Sequence, residues 1–479
     1  MQAEENKKIS LPFFGIPRLW PFIRPYRRIL IINIILGILS SLIDSLYPLF
    51  NSYALNHFVA EETLKGILPF AAAYAVILVL QVIDNFVSTY QCGKVEMSVD
   101  RDLRNASFNH LQTLSFSYFN QNNVGYIHAR VMSDTGKIGE LVAWRMMDMV
   151  WNGSYIVCVI AVMLAVNARL AMYVLALVPV AVVLIAFFQK KLVKLNRRIR
   201  EINSTITGNF NEGITGARSV KTLVIEDRIR KDFEKDTEEM REASVKATHY
   251  SALFTSLVTF MCATALALVL WKGGRITMEG ALQIGTLSVF FSYALNMMDP
   301  IQNIVQTISA FIAIQVNIER LTRLLHTESD VADRSEVTER YGDTFHPKKE
   351  NWEPLYGDVE FRDVSFRYPG TEEYVLRHVD LRIEKGERVA IVGENGSGKT
   401  TLVKLLCRLY DPTDGEILIG GENIDTLRCD EYQGLFSVVF QDFKLFSFSV
   451  GQNVAASVSY DAARVESCLR KSGFAERLS

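Results

Sequence analysis

The sequence predicts an α-helical membrane domain of six spans, a polar linker, and then an incomplete α/β domain. Three observations carry this. Uncharged apolar runs of spanning length recur up to about Ile318, the residue period changes from helical to alternating near Val359, and a glycine-rich GxxxxGK[ST] loop follows. With 479 residues, 49% of them hydrophobic and 22% charged, the chain is long enough for two or three domains, and its composition excludes wholesale disorder. The formal charge of −2 averages two unlike parts, +7 up to His326 and −9 after it. Six scattered cysteines without a CxxC pair exclude a disulfide framework and a zinc site, and are expected to be buried, reduced thiols.

The apolar runs come first. Ile29 to Ile43 continues past Asp44 to Ala60; Gly66 to Ile83, Met149 to Ala168, Leu170 to Gln189 and Ala247 to Trp271 follow; Gly280 to Met298 is the sixth and continues past Asp299 to Ile318. About 20 apolar residues cross the hydrocarbon, so the count is six helices. The first run is too long for a signal peptide and no A-x-A cleavage site follows it. Ahead of it, FFGIPRLWPFIRPYRR mixes aromatics with Arg24, Arg27 and Arg28, as a helix lying in the membrane interface does.

Loop charge sets the expected topology. The candidate outer loops hold only Lys65, Arg169, Lys272 and Arg275, whereas the N-terminal segment and the loop from Gln91 to Asp148 hold six basic residues each and Lys190 to Lys246 holds fourteen. The N-terminus is therefore expected in the cytoplasm. Both long inner loops keep apolar residues three or four apart among charges, the pattern of exposed helices. If each runs out and back as two helices of about 25 residues, the arms extend roughly 38 Å. Their tips, near Ser115 to Val124 and Asn211 to Arg218, are the expected contact points.

From His326 to Pro354 the chain turns polar and charged, which places a linker at 327–354 between a membrane domain at 1–326 and a second domain at 355–479. Val359 to Tyr368 and Tyr374 to Ile383 alternate as strands. In ERVAIVGENGSGKTTLVKLL an apolar strand, Val389 to Val392, leads into Gly393, Glu394, Asn395, Gly396, Ser397, Gly398, Lys399, Thr400 and Thr401, and a helix follows through Leu406. Glycines let backbone N–H groups turn inward around phosphates at a helix N-terminus. The pattern assigns Lys399 to the β- and γ-phosphates and the Thr400 hydroxyl to Mg²⁺.

Six spans with two long inner loops and this phosphate loop in one chain resemble a half-transporter of the ATP-binding cassette (ABC) superfamily, exporter type. The resemblance covers nearly the whole chain. It implies a subunit of an ATP-driven exporter working as a homo- or heterodimer with a second half-transporter, with ATP and Mg²⁺ as cofactors and an unidentified exported substrate. VEFRDVSFRYPG places Tyr368 where the family stacks an aromatic on adenine; a tyrosine pairing across a sheet is the other reading. SVVFQDFKLF resembles the Q-loop, which places Gln441 near Mg²⁺ and the attacking water. HLQTLSFSYFNQNNVGYIHARVMSD and NEGITGARSVKTLVIED resemble the two inner loops with their short coupling helices. The implied location is a multi-pass membrane protein, in the plasma membrane if bacterial, with the nucleotide-binding part cytoplasmic.

The family pattern is incomplete here. No LSGGQ signature and no Walker B ending in Asp-Glu occurs, and the last histidine is His378. The expectation is a chain ending within its nucleotide-binding domain, marginally stable there, binding ATP weakly without hydrolysis or transport; an ATP-regulated channel on the same scaffold is a third reading. Asp44, Asp84 and Asp299 lie in or beside spans, where ionisable groups mark pathways. Asp299 is expected to face a cavity and Asp84 to lie where its helix leaves the membrane. Lys190 to Arg200 suits either anionic lipid headgroups or a solvated helix face. Nothing has the aromatic interleaving of a nucleic-acid binder.

Overall fold

The computed structural model describes residues 12–352, 356–439 and 443–474. The chain divides into two compact units, one holding the residues up to Gln112 with Asn122–Glu328, the other Thr113–Gln121 with the residues from Ser329 on.

The first unit is helical throughout. Among the described residues five helical stretches are long and apolar enough to cross a membrane: Gly15–Val59, Ile67–Thr113, Val124–Leu175, Glu226–Met278 and Ile284–Leu325. The difference from six lies in the fourth apolar run, Leu170 to Gln189, which the structure splits. The helical run Met146–Leu175 is interrupted at Asn167, whose φ of −157° and ψ of 96° are not helical, and a second break separates Leu175 from the helix Leu177–Thr215. Pro179 explains the second break, because it lacks an N–H and its ring collides with the carbonyl one turn earlier. The apolar part that remains, Leu177 to Gln189, meets Lys190, Lys191 and Lys194 too soon to qualify on composition.

Two apolar clusters hold this unit. One gathers Val159, Met163, Leu170, Ile185, Val269, Phe290 and Tyr293 from four helical stretches. The other gathers Val95, Val99 and Leu103 with Ile138, Leu141, Ile318 and Leu321. Leu19 and Ile23 enter the second cluster at 3% and 5% exposure. The segment that contains them, expected as an interfacial helix, is helical in three short pieces, the 3₁₀ helix Pro12–Leu19, the α-helix Trp20–Ile23 and the 3₁₀ turn Arg24–Tyr26. Prolines 17, 21 and 25 recur every fourth residue, so an unbroken α-helix cannot form.

The long inner arms are helices continuous with the spans. Leu177–Thr215 and Glu226–Leu268 run side by side, tied by Arg198 to Glu239 and by Asn209 Nδ2 donating to Asp236 at 2.6 Å. Between them sits a short helix, Ala217–Leu223, ending in the left-handed residue Val224. The first inner tip is the helix Phe116–Gln121.

The second unit is built on an antiparallel sheet of order β2-β1-β3-β4, with β1 Val359–Phe366, β2 Leu376–Ile383, β3 Asp414–Ile419 and β4 Glu422–Asn423. Phe361 faces Leu381 on one side and Ile417 on the other. The helix Lys399–Leu406 lays Leu402 and Leu405, one turn apart, onto the sheet beside Phe361, Val364 and Phe366. Burying each such leucine contributes about 1.5–3 kcal/mol.

One expected strand is missing. Val389 to Val392 forms no ladder, and Val389, Ile391 and Val392 are 44%, 43% and 90% exposed. A strand feeding a phosphate loop is an inner strand of a parallel sheet and needs partners on both edges. Among the described residues no segment pairs with it. Val438 and Val439 likewise form no ladder and are exposed.

The polar segment after His326 is folded. Ser335–Tyr341 is helical, Asp333 Oδ1 accepts from the buried Arg408 at 3.3 Å and from the Cys429 N–H at 3.0 Å, and Arg428 donates to the carbonyls of Tyr341 and Asp343. All six cysteines are free, but only Cys92 and Cys407 are buried; Cys468 is exposed on a surface helix, so burial is not the common fate expected of them.

Candidate functional site

The loop from Gly393 to Gly398 follows an extended segment and opens directly into the helix Lys399–Leu406. Gly396 and Gly398 have φ of +89° and +88°, a region that strains any L side chain, and a Cβ on Gly398 would lie 2.7 Å from Leu376 Cδ2. The first turn of the helix leaves backbone N–H groups without helical acceptors, and its dipole favours an anion there. Lys399 Nζ donates to the carbonyls of Gly393 at 2.8 Å and Glu394 at 2.6 Å, so the ammonium is folded under the loop and braces it. An arriving phosphate would compete for that ammonium with two neutral acceptors, and the charge-assisted bond is the stronger.

The donor set fits a magnesium nucleotide. Thr400 is exposed and its hydroxyl makes no hydrogen bond among the described residues, whereas Thr401 is 5% exposed and bonded. Among the described residues no group of three His, Cys, Asp or Glu gathers to hold a metal by itself. That suits Mg²⁺, which keeps waters and takes phosphate oxygens with one or two protein ligands. Bound there, the ion would supply charge neutralisation of the phosphates.

Tyr368 lies at the end of β1, half-buried. Its hydroxyl and Thr401 Oγ1 are 2.9 Å apart, and its ring meets Phe366 and Tyr410 edge-on at 5.0 and 5.3 Å. A cavity of about 570 Å³ opens beside it, lined also by Thr371, Asp411 and Thr413. Tyr410 extends the chain of contacts in the other direction. Its hydroxyl accepts from Asn120 Nδ2 at 2.7 Å, and its ring meets Phe116 edge-on at 6.1 Å; both partners belong to the tip helix Phe116–Gln121, which is part of this unit. Lys404 Nζ lies 5.7 Å from the ring centres of both Phe116 and Tyr368. Burial pushes the Tyr410 hydroxyl above its ordinary value, and the Asn120 bond opposes it. Burial likewise raises the Asp411 carboxyl, against the Arg408 guanidinium at 3.3 Å.

The structure thus brings Gly393 to Thr401 and Tyr368 together through Thr401. Gln441 lies outside the described residues. Tyr410 and Asn120 were not singled out from sequence, since neither belongs to a spacing pattern.

The family comparisons agree with this geometry. The model of the ABC transporter transmembrane region matches residues 30–301, and that of the ABC transporter nucleotide-binding region, described simply as ABC transporter, matches residues 376–478. The chain belongs to the ABC transporter family. With membrane and nucleotide regions in one chain, it is an exporter-type half-transporter. The putative multidrug export ATP-binding/permease protein YgaD of Bacillus subtilis is 25% identical over 444 residues, 91% of this chain and 74% of that protein. The ATP-dependent lipid A-core flippase of Haemophilus influenzae strain 86-028NP is 28% identical over 475 residues, 97% of this chain and 77% of the flippase. In this ABC chain, then, the braced lysine and the exposed Thr400 hydroxyl belong to an ATP-binding region.

Proposed function

We propose that the chain is one subunit of a dimeric exporter that binds Mg-ATP at Gly393–Thr401 and passes nucleotide occupancy to its membrane helices through Phe116–Gln121, driving alternating access. The carrying observation is the contact series Thr401–Tyr368–Tyr410–Asn120, which joins the phosphate-loop helix to the first inner tip within hydrogen-bond and ring-contact distances. Tyr368 stacks on adenine once its hydroxyl leaves Thr401, and Gln441 orients the attacking water. Residues 168–189, which follow the non-helical Asn167 and end at lysines that reach the interface, are the remaining span of a six-span domain. The basic inner loops place the N-terminus and the nucleotide-binding unit in the cytoplasm, with Lys190–Arg200 against lipid headgroups. The relatives named for multidrug export and lipid A-core flipping support an amphiphilic cargo.

The test is saturable Mg-ATP binding by the purified full chain. Lys399→Ala is expected to weaken it about 10- to 100-fold, because a charge-assisted contact of about 1.5–3 kcal/mol is lost. No saturation, or equal binding by Lys399→Ala, contradicts the reading. A second reading, ATP bound weakly without turnover, is favoured by one observation: Val389–Val392, which leads into the loop, is unpaired and exposed. Phosphate release by the same preparation separates the two.

A further inference from the structure

Two acidic residues of the membrane unit have unlike surroundings. Asp299 is exposed just after the break between Asn296 and Met298. Asp84, expected at a helix exit, is 6% exposed and packed inside the helical unit. Among the described residues neither of its carboxylate oxygens meets a partner at hydrogen-bond geometry, and the Ser40 hydroxyl is the donor beside it. One turn earlier on the same helix face, Gln81 donates from Nε2 to Ser40 Oγ and to Asp44 Oδ1, both at 3.1 Å, and its own Oε1 is buried without a partner. Trp151 Nε1, from a third helix, donates to Asp44 Oδ2 at 3.1 Å.

The inventory of donors and acceptors does not balance. Gln81 Nε2 and Trp151 Nε1, the amide and indole donors of this cluster, are engaged by Asp44 and Ser40. The Ser40 hydroxyl, which accepts from Gln81, is the one donor left beside Asp84, so the two Asp84 oxygens and the Gln81 carbonyl still outnumber the donors within reach. Among the described residues no Lys or Arg lies within ion-pair distance of Asp44 or Asp84; the other titratable groups beside the cluster are Tyr47 on the first helix and Tyr155 on the third. Neither supplies a positive charge. Ser40 and Asp44 lie roughly 18 and 24 Å along the helix from Arg28, within a hydrocarbon core of about 30 Å. An uncompensated carboxylate at that depth is expensive, and an intramembrane acid without a partner points to one that comes and goes.

We propose that Asp84, Asp44, Gln81 and Ser40 form an intramembrane site for a small monovalent cation, H⁺ or Na⁺, held by carboxylate, amide and hydroxyl oxygens. Two carboxylates and two neutral oxygens are too few for Ca²⁺, which takes six to eight oxygens, and no third acidic, histidine or cysteine ligand joins them among the described residues. The helices also leave little room for an organic cation: a Cβ on Gly37, one turn from Ser40 and Ser41, would meet Met147 Cε at 2.7 Å. The site lies in the membrane unit and is independent of the phosphate loop.

Trp151 is a built-in reporter, since its indole N–H bonds to Asp44. The experiment titrates tryptophan emission and the thermal midpoint of the full chain in lipid nanodiscs. One arm exchanges Na⁺ for choline at constant ionic strength; the other, free of Na⁺, runs from about pH 5 to about pH 9, the range that buried carboxyls reach. The account predicts a saturable response in at least one arm. Asp84→Asn, nearly isosteric and neutral, shifts its midpoint about tenfold or abolishes it, and Trp151→Phe removes the optical signal while the thermal response remains. Response to Na⁺ identifies a sodium site and response to pH alone a proton site. Flat emission and flat midpoints in both arms, or an unaltered response in Asp84→Asn, would overturn the proposal.

Discussion

The two inner tips have the same origin in sequence and different surroundings in the structure. Phe116–Gln121 is clustered with the nucleotide-binding unit, where Phe116 and Asn120 grip Tyr410. Ala217–Leu223 has no buried residue, and Ile214, Leu223 and Val224 around it are 63%, 66% and 80% exposed. Both are short helices between long arms. The difference teaches that similar local patterns can serve unlike neighbours: the first tip is satisfied within this chain, and the second presents apolar side chains suited to another subunit. In the proposed dimer, the second tip is the surface left for the partner subunit.

Several substitutions would break or sharpen this contrast. The largest effect is expected for Tyr410→Ala. It removes a ring that is 4% exposed and touches Phe366, Tyr368 and Phe116, so the second unit should lose about 3–5 kcal/mol in denaturant unfolding, and the first tip should become accessible to protease. Tyr410→Phe keeps the ring and deletes only the bond from Asn120; a loss of about 0.5–1.5 kcal/mol is expected, at the low end because Asn120 is exposed and water replaces its partner.

Acid should act on the same unit. Asp411 is held above the ordinary carboxylate value by burial, so its ionised form is less favourable folded than unfolded. The second unit should therefore lose stability as pH rises from the unfolded value of about 3.8 through the raised one, and Asp411→Asn should flatten that step in a pH series of unfolding midpoints. The smallest effect on folding is expected at the second tip. Leu223→Ser should change unfolding of the isolated chain by less than about 0.5 kcal/mol, since the side chain is already exposed, yet it should weaken self-association in analytical ultracentrifugation. A large folding loss with unchanged association would remove the distinction between the tips.

Much of this was legible in the residues. The glycines at 396 and 398, the lysine at 399 and a helix to Leu406 follow from motif chemistry, and β1 and β2 from alternation. The arms follow from apolar spacing among charges. What stayed hidden depended on partners far away in the chain. Val389–Val392 has strand chemistry but no neighbouring strand to pair with among the described residues, so its local pattern was outweighed by the lack of an edge. Tyr410 is one tyrosine among 18, and only folding sets it between Asn120 and Tyr368. Asp84 stood at the end of an uncharged run and read as a helix exit; it is buried because Ser40, Asp44 and Gln81 offer a polar seam that composition alone does not reveal. The fourth apolar run looked continuous because Pro179 is itself uncharged.

In the proposed mechanism nucleotide occupancy reaches the first tip through Tyr368 and Tyr410. Amide hydrogen exchange of the full chain, with and without Mg-ATP, reads both tips at once. The account predicts that Mg-ATP changes exchange in Phe116–Gln121, that Tyr410→Ala abolishes this change while ATP still binds, and that Ala217–Leu223 in the undimerised chain stays constant. Exchange in Phe116–Gln121 that is indifferent to bound Mg-ATP, or that responds equally in Tyr410→Ala, would contradict it.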